Sequence, residues 1–125
     1  MEEYKFRVWN ILHKRMREWG DIFYLPAWEI FPGTPEQRCY EVMQYTGIKD
    51  MDGKEIYEDD LIMFQDETAE NFFNNKIGKV VFEEAAFWIE YFDGTSIPLG
   101  GGTENYKVLG NIYENPELIP KLLRW

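Results

Sequence analysis

Short apolar runs divided by turn residues constrain this chain more than any other feature. Leu61-Ile62-Met63-Phe64, Lys79-Val80-Val81-Phe82 and Phe87-Trp88-Ile89-Glu90-Tyr91-Phe92 are dense in β-branched and aromatic side chains, and each has strand length rather than helix length. Residues 106–113 form a last run of the same kind. Asp93-Gly94 ends the third run, and Gly100-Gly101-Gly102 reads as a flexible link. The polar stretch 65–76 fits a long hairpin loop or a loop holding one helical turn. Strands this short, joined by turns, predict a small barrel or sandwich.

The first half is also β-rich but less regular. Tyr4, Phe6 and Val8 alternate with Lys5 and Arg7, which predicts a strand over 4–9 with one wet face. Residues 10–14 read as a turn, and 15–19 as a returning strand that Gly20-Asp21 breaks. Residues 22–30 are apolar, although Pro26 argues against a central strand. Phe31-Pro32-Gly33-Thr34-Pro35 is a loop by composition. Over 37–48 helix formers compete with Tyr40, Val42, Tyr45 and Thr46, and the latter favour a strand. Asp52-Gly53 predicts a two-residue type I′ hairpin turn, with both residues at positive φ. Asn115-Pro116 predicts a helix start with Asn115 as cap, and Pro120 limits it to a short turn.

Composition bounds the function. The 125 residues suit one domain, and 45% hydrophobic content with 18% aromatic supplies a core. A lone cysteine, Cys39, excludes an internal disulfide. No apolar run reaches the length of a membrane helix, and the N-terminus lacks a signal-peptide pattern. A cytoplasmic location is therefore expected. Residues 1–50 carry 7 basic and 8 acidic side chains, and 51–125 carry 6 and 15, so nearly all of the net −10 lies in the second stretch. Such a surface repels nucleic-acid backbones and anionic membranes. It serves solubility, or imitates nucleic acid toward a basic protein.

Candidate chemistry is sparse. His13 is the single histidine and Ser96 the single serine, and neither has a nucleophile-elbow context. Cys39 with His13 is a conceivable thiol dyad, but a buried structural thiol explains Cys39 more simply. A tetrahedral zinc site would have to combine His13, Cys39 and carboxylates at unhelpful spacing. Asp50, Asp52 and Asp59 partly match a calcium loop, yet its first position falls on Ile48, and a hairpin accounts for Asp52-Gly53 without an ion. Glu58-Asp59-Asp60 offers magnesium no motif. Gly100-Gly101-Gly102-Thr103 lacks the phosphate-loop lysine. Trp88 and Tyr91 would suit a stacking platform for single strands, but their neighbours Glu83, Glu84, Glu90 and Asp93 are acidic, which favours core packing. No catalytic, cofactor-binding or metal-binding residue is assigned.

Five segments resemble successive blocks of the YopX family. They are residues 4–10, the stretch from Val42 to Asp50 that contains Gln44-Tyr45-Thr46-Gly47, the stretch from Gly53 to Ile62, Gly78-Lys79-Val80-Val81-Phe82, and residues 108–118 from Val108 through Gly110-Asn111-Ile112-Tyr113 to Asn115-Pro116-Glu117-Leu118. The resemblance implies a bacteriophage or prophage gene and a product in the bacterial cytoplasm. It also implies one YopX-like domain over 1–125, with a smaller β-rich part (1–55) before an SH3-like barrel and tail (56–125). It carries over no catalytic residues. The family pattern has Gly where this chain has Asp59, so Asp59 either accepts positive φ or the turn differs. Gln44-Tyr45-Thr46-Gly47 is expected to be a polar turn with an anchoring phenol. The resulting expectation is a mainly β, non-enzymatic module that binds another protein or self-assembles. The alternative is a nucleic-acid-linked role, as an acidic DNA mimic or a regulator of host DNA-processing proteins.

Overall fold

Strands form where the apolar runs predict them, and the chain is mainly β. The computed structural model describes residues 4–22, 40–64, 76–100 and 105–120. The expectations for 23–35, for Cys39, for most of 65–76 and for Gly101-Gly102 lie outside those residues. The chain divides into two compact units, Met1–Tyr45 and Thr46–Trp125.

In the first unit β1 (Phe6–Asn10) lies between β2 (Arg15–Arg17) and the start of β3 (Tyr40–Lys49), antiparallel to both. Val8 faces Arg17 on one side and Val42 on the other. Val8, Ile22 and Tyr40 form the core, with Phe6, Trp19 and Val42 against it. Two expectations change here. Arg7 is buried at 6% exposure and Tyr4 is 67% exposed, so β1 has no simple wet face. An interior strand is covered more fully than an edge strand with the same alternation. The returning strand stops at Arg17, and Trp19–Ile22 is a single helical turn, α1, whose Trp19 ring meets Phe6.

The second unit holds β4 (Glu55–Tyr57), β5 (Asp60–Phe64), β6 (Ile77–Glu83), β7 (Ala86–Tyr91), β8 (Ser96–Pro98) and β9 (Tyr106–Asn111). The last five form one curled antiparallel sheet in the order β8-β7-β6-β5-β9. A register shift between Leu61 and Ile62 leaves Leu109 of β9 as an extra, unpaired residue, a β-bulge in that strand. Successive residues of a strand face opposite ways, and Leu61 and Ile62 are both almost fully buried. Ile62 joins Ile56, Val80, Ile89, Tyr91, Tyr106 and Val108, while Leu61 joins Ile112 and Ile119. Apolar packing thus covers both faces at β5, which explains a run without alternation. Each of Ile62, Val80 and Ile89 contributes about 1.5–3 kcal/mol by burial. Gly78 is required in β6, since a Cβ there would lie 2.6 Å from the Ile89 side chain. Strand β8 follows the Gly94 turn (φ 95) and is an element the apolar pattern did not reveal.

Candidate functional site

Asp50, Asp59 and Asp60, weighed above as cation ligands, lie in the blocks that resemble the family, and their geometry shows what they hold. Asp50 follows β3 and is only 7% exposed. Its Oδ1 accepts from the backbone N–H of Asp52 (2.9 Å) and of Lys54 (2.8 Å). Its Oδ2 accepts from the N–H of Val108 in β9 at 2.9 Å. Beside it Met51 N–H donates to the Tyr106 carbonyl at 2.9 Å. One carboxylate therefore closes the hairpin and fastens it to an outer strand of the sheet, whose open edge would otherwise be a pairing hazard. Burial pushes the Asp50 carboxyl up, but the N–H groups of Val108, Lys54 and Asp52 and the Lys54 charge outweigh it and hold the pKa below the ordinary value. Those oxygens face donors, the opposite of the surroundings a cation selects.

The hairpin itself corrects the type I′ expectation. Gly53 has φ 83 but Asp52 does not adopt positive φ. Gly53 N–H donates to the Asp50 carbonyl and Asp50 N–H to the Lys54 carbonyl, so a β-turn followed by one left-handed glycine closes a longer loop. The Asp50 side chain, which bonds Asp52 and Lys54, selects it over the two-residue form.

Two other blocks behave alike. Asp59 takes φ 67, resolving the glycine question in favour of a tolerated left-handed residue. Its N–H donates to the Val80 carbonyl, its carbonyl accepts from Ile112 N–H, and its carboxylate accepts from the Tyr113 hydroxyl at 3.2 Å. Asp60, 1% exposed, accepts from Tyr57 N–H at 2.7 Å. Asn111 Oδ1 accepts from the N–H groups of Tyr113 (3.0 Å) and Glu114 (2.8 Å). Asn115 does not cap the 3₁₀ turn Pro116–Leu118 through its side chain. Its Oδ1 reaches back to Asn111 N–H instead, over Gly110, where a Cβ would collide with it. Gln44-Tyr45-Thr46-Gly47 is not a turn but part of β3, which its ladder partners keep extended. Gly47 holds φ 85 within that strand, and Thr46 Oγ1 donates to the Ile56 carbonyl at 2.7 Å.

The remaining candidates are placed separately. His13 sits in the β1–β2 turn and Ser96 opens β8. Tyr91 is buried in the core, and the half-buried Trp88 donates its indole N–H to the Glu83 carbonyl at 3.0 Å. Among the described residues no group of three His, Cys, Asp or Glu side chains is placed to hold a metal ion. An open depression of about 400 Å³ is lined by Ile77, Phe92, Leu118 and Pro120, with the Lys76–Asp93 ion pair (2.7 Å) and Tyr91 beside them. Hydrogen bonds from Lys76 and then Thr95 hold the Asp93 carboxyl well below the usual range. Burial pushes the Tyr91 phenol up to about 12. Near neutrality Asp93 stays ionised and Tyr91 stays protonated, so neither is poised to exchange a proton.

A β-sheet core whose turns are locked by Asn10, Asp50, Asp59, Asp60, Asn111 and Asn115 defines a class of small β proteins rather than a type of active site. The family model "YopX protein" matches residues 5–120, and the chain belongs to the YopX family. That match indicates no enzyme family. Among solved structures, protein EF1440 from Enterococcus faecalis is similar, with TM-score 0.65 and 23% identity over 96% of this chain and 100% of that one. Protein yopX from Bacillus subtilis is also similar, with TM-score 0.61 and 19% identity over 96% and 100%. At these identities the two structures establish the shared fold. No curated protein matches the chain significantly. Among the described residues, no helix is long and apolar enough to cross a membrane.

Proposed function

We propose that this chain is a non-enzymatic module, of phage or prophage origin and acting in a bacterial cytoplasm, that binds protein, either another species or itself. The observation that carries this reading is the division of labour among its side chains. The polar groups of the recurring blocks bind backbone, whereas apolar side chains stand exposed in hairpin turns: Ile11 and Leu12, Met51, and Phe82 at a strand end. Exposed apolar groups on rigid turns suit protein contacts.

Sedimentation of the pure protein over a range of concentrations, together with cross-linking in host lysate, tests this. Self-association, or one reproducible cross-linked protein displaced by excess pure chain, supports it. A strict monomer that captures nothing overturns it. The segregated acidic charge favours a second reading, a DNA mimic that engages basic host proteins. Such a complex would form only with a strongly basic partner and would dissolve at high salt.

A further inference from the structure

Two exposed turns of this chain carry opposite charge, each beside exposed apolar side chains. From Tyr4 to Arg17 the sequence holds Lys5, Arg7, Lys14, Arg15 and Arg17 and no carboxylate, in a protein of net charge −10. The β1–β2 turn exposes Ile11 (39%) and Leu12 (75%), with exposed His13, Lys14 and Arg15 after them. Residues 80–106 show the reverse, with Glu83, Glu84, Glu90, Asp93 and Glu104 and no lysine or arginine. The β6–β7 turn exposes Phe82 (47%) beside exposed Glu83 and Glu84.

Both turns are fixed before any contact. Asn10 Oδ1 accepts from His13 N–H at 2.9 Å across the first. In the second, Glu84 and Ala85 both hold positive φ (51 and 61), giving a two-residue type I′ loop without glycine or asparagine. The Phe82 ring packs edge-on against its cross-strand partner Phe87 at 4.9 Å, and the Trp88 indole holds the Glu83 carbonyl. Ordered turns lose little entropy on docking.

We propose that the β1–β2 turn of one copy docks on the β6–β7 turn of a second copy. Ile11 and Leu12 meet Phe82, while Lys14 and Arg15 meet Glu83 and Glu84. This rests on the protein-binding reading above and names the partner. Phosphate backbones would also attract Lys14 and Arg15. They offer nothing to Ile11 and Leu12, however, and the acidic chain repels them as a whole. A second copy supplies both the carboxylates and the apolar ring. Every copy carries both turns, so the contact is head-to-tail and can repeat. Two turns make a small interface, and the association is weak and salt-sensitive.

Charge exchange tests it. The double variants Lys14→Glu/Arg15→Glu and Glu83→Lys/Glu84→Lys are prepared, and circular dichroism with thermal melting confirms that each folds. Wild type should sediment faster with rising concentration at about 0.05 M salt and lose that trend at about 0.5 M. Each variant alone should remain monomeric, and an equimolar mixture of the two should associate, because each supplies the charge the other lost. A wild type monomeric at every concentration, or folded variants that self-associate as wild type does, overturns the proposal. So does binding of a DNA duplex that requires Lys14 and Arg15. A monomer that still captures a host protein would overturn this inference and leave the protein-binding reading standing.

Discussion

The two units show different contacts around their turns. In the first, Val8, Ile22 and Tyr40 pack together beside the β1 ladders, and Asn10 Oδ1 accepts from His13 N–H across the β1–β2 turn. In the second, side chains far apart in sequence tie turns to strands. Asp50 reaches Val108, and Tyr113 reaches Asp59. The contrast teaches that acidic residues in such a chain are not all surface charge. Asp50 and Asp60 are among its most buried groups because backbone N–H donors surround them.

The largest expected effect breaks the polar side of this contrast. Asp50→Ala removes three acceptor contacts and leaves the buried Val108 N–H unsatisfied, at a cost of about 3 kcal/mol or more. Denaturant unfolding would show it, and amide exchange should rise in β9 before β1. Next is Val8→Ala on the apolar side, which opens a cavity at a site of zero exposure and costs about 2 kcal/mol. Its exchange signature should fall on β1 and β3, and its size should not depend on pH. Gly110→Ala should cost about 1–2 kcal/mol by displacing the Asn115 side chain from Asn111 N–H, and adding Asn115→Gly should recover part of that loss. The smallest effect has the opposite sign. Ala85→Gly should stabilise by about 1 kcal/mol, since φ 61 strains alanine but not glycine. A loss of stability there would mean that the turn relaxes in solution.

The β character of the second unit was legible because Leu61 to Phe64, Lys79 to Phe82 and Phe87 to Phe92 are short and dense in strand-forming residues. Strand β8 was not, since Ser96-Ile97-Pro98 is three residues long with one apolar side chain and exists through its pairing with β7. Asp52-Gly53 marked a hairpin, yet its turn type depended on Asp50, whose partner Val108 lies 58 positions away. The type I′ turn formed instead at Glu84-Ala85, where no turn residue announces it and the strand register imposes it. The Asn115-Pro116 pair marked the 3₁₀ turn, but the direction of the Asn115 side chain was set by the space over Gly110. The contacts that tie Asp50 to Val108 and Asp59 to Tyr113 are tertiary, and local propensity does not encode them.

The central claim, that an ionised Asp50 binds the hairpin to β9, is tested most directly by the stability gap between wild type and Asp50→Ala as a function of pH. Because the folded pKa is depressed, the contribution is complete above the unfolded value and is lost as pH falls through the folded one. The gap should be widest at neutral pH and shrink progressively in acid, while the gap for Val8→Ala stays level. An Asp50→Ala gap that is small at neutrality, or that holds constant into acid, would contradict the account.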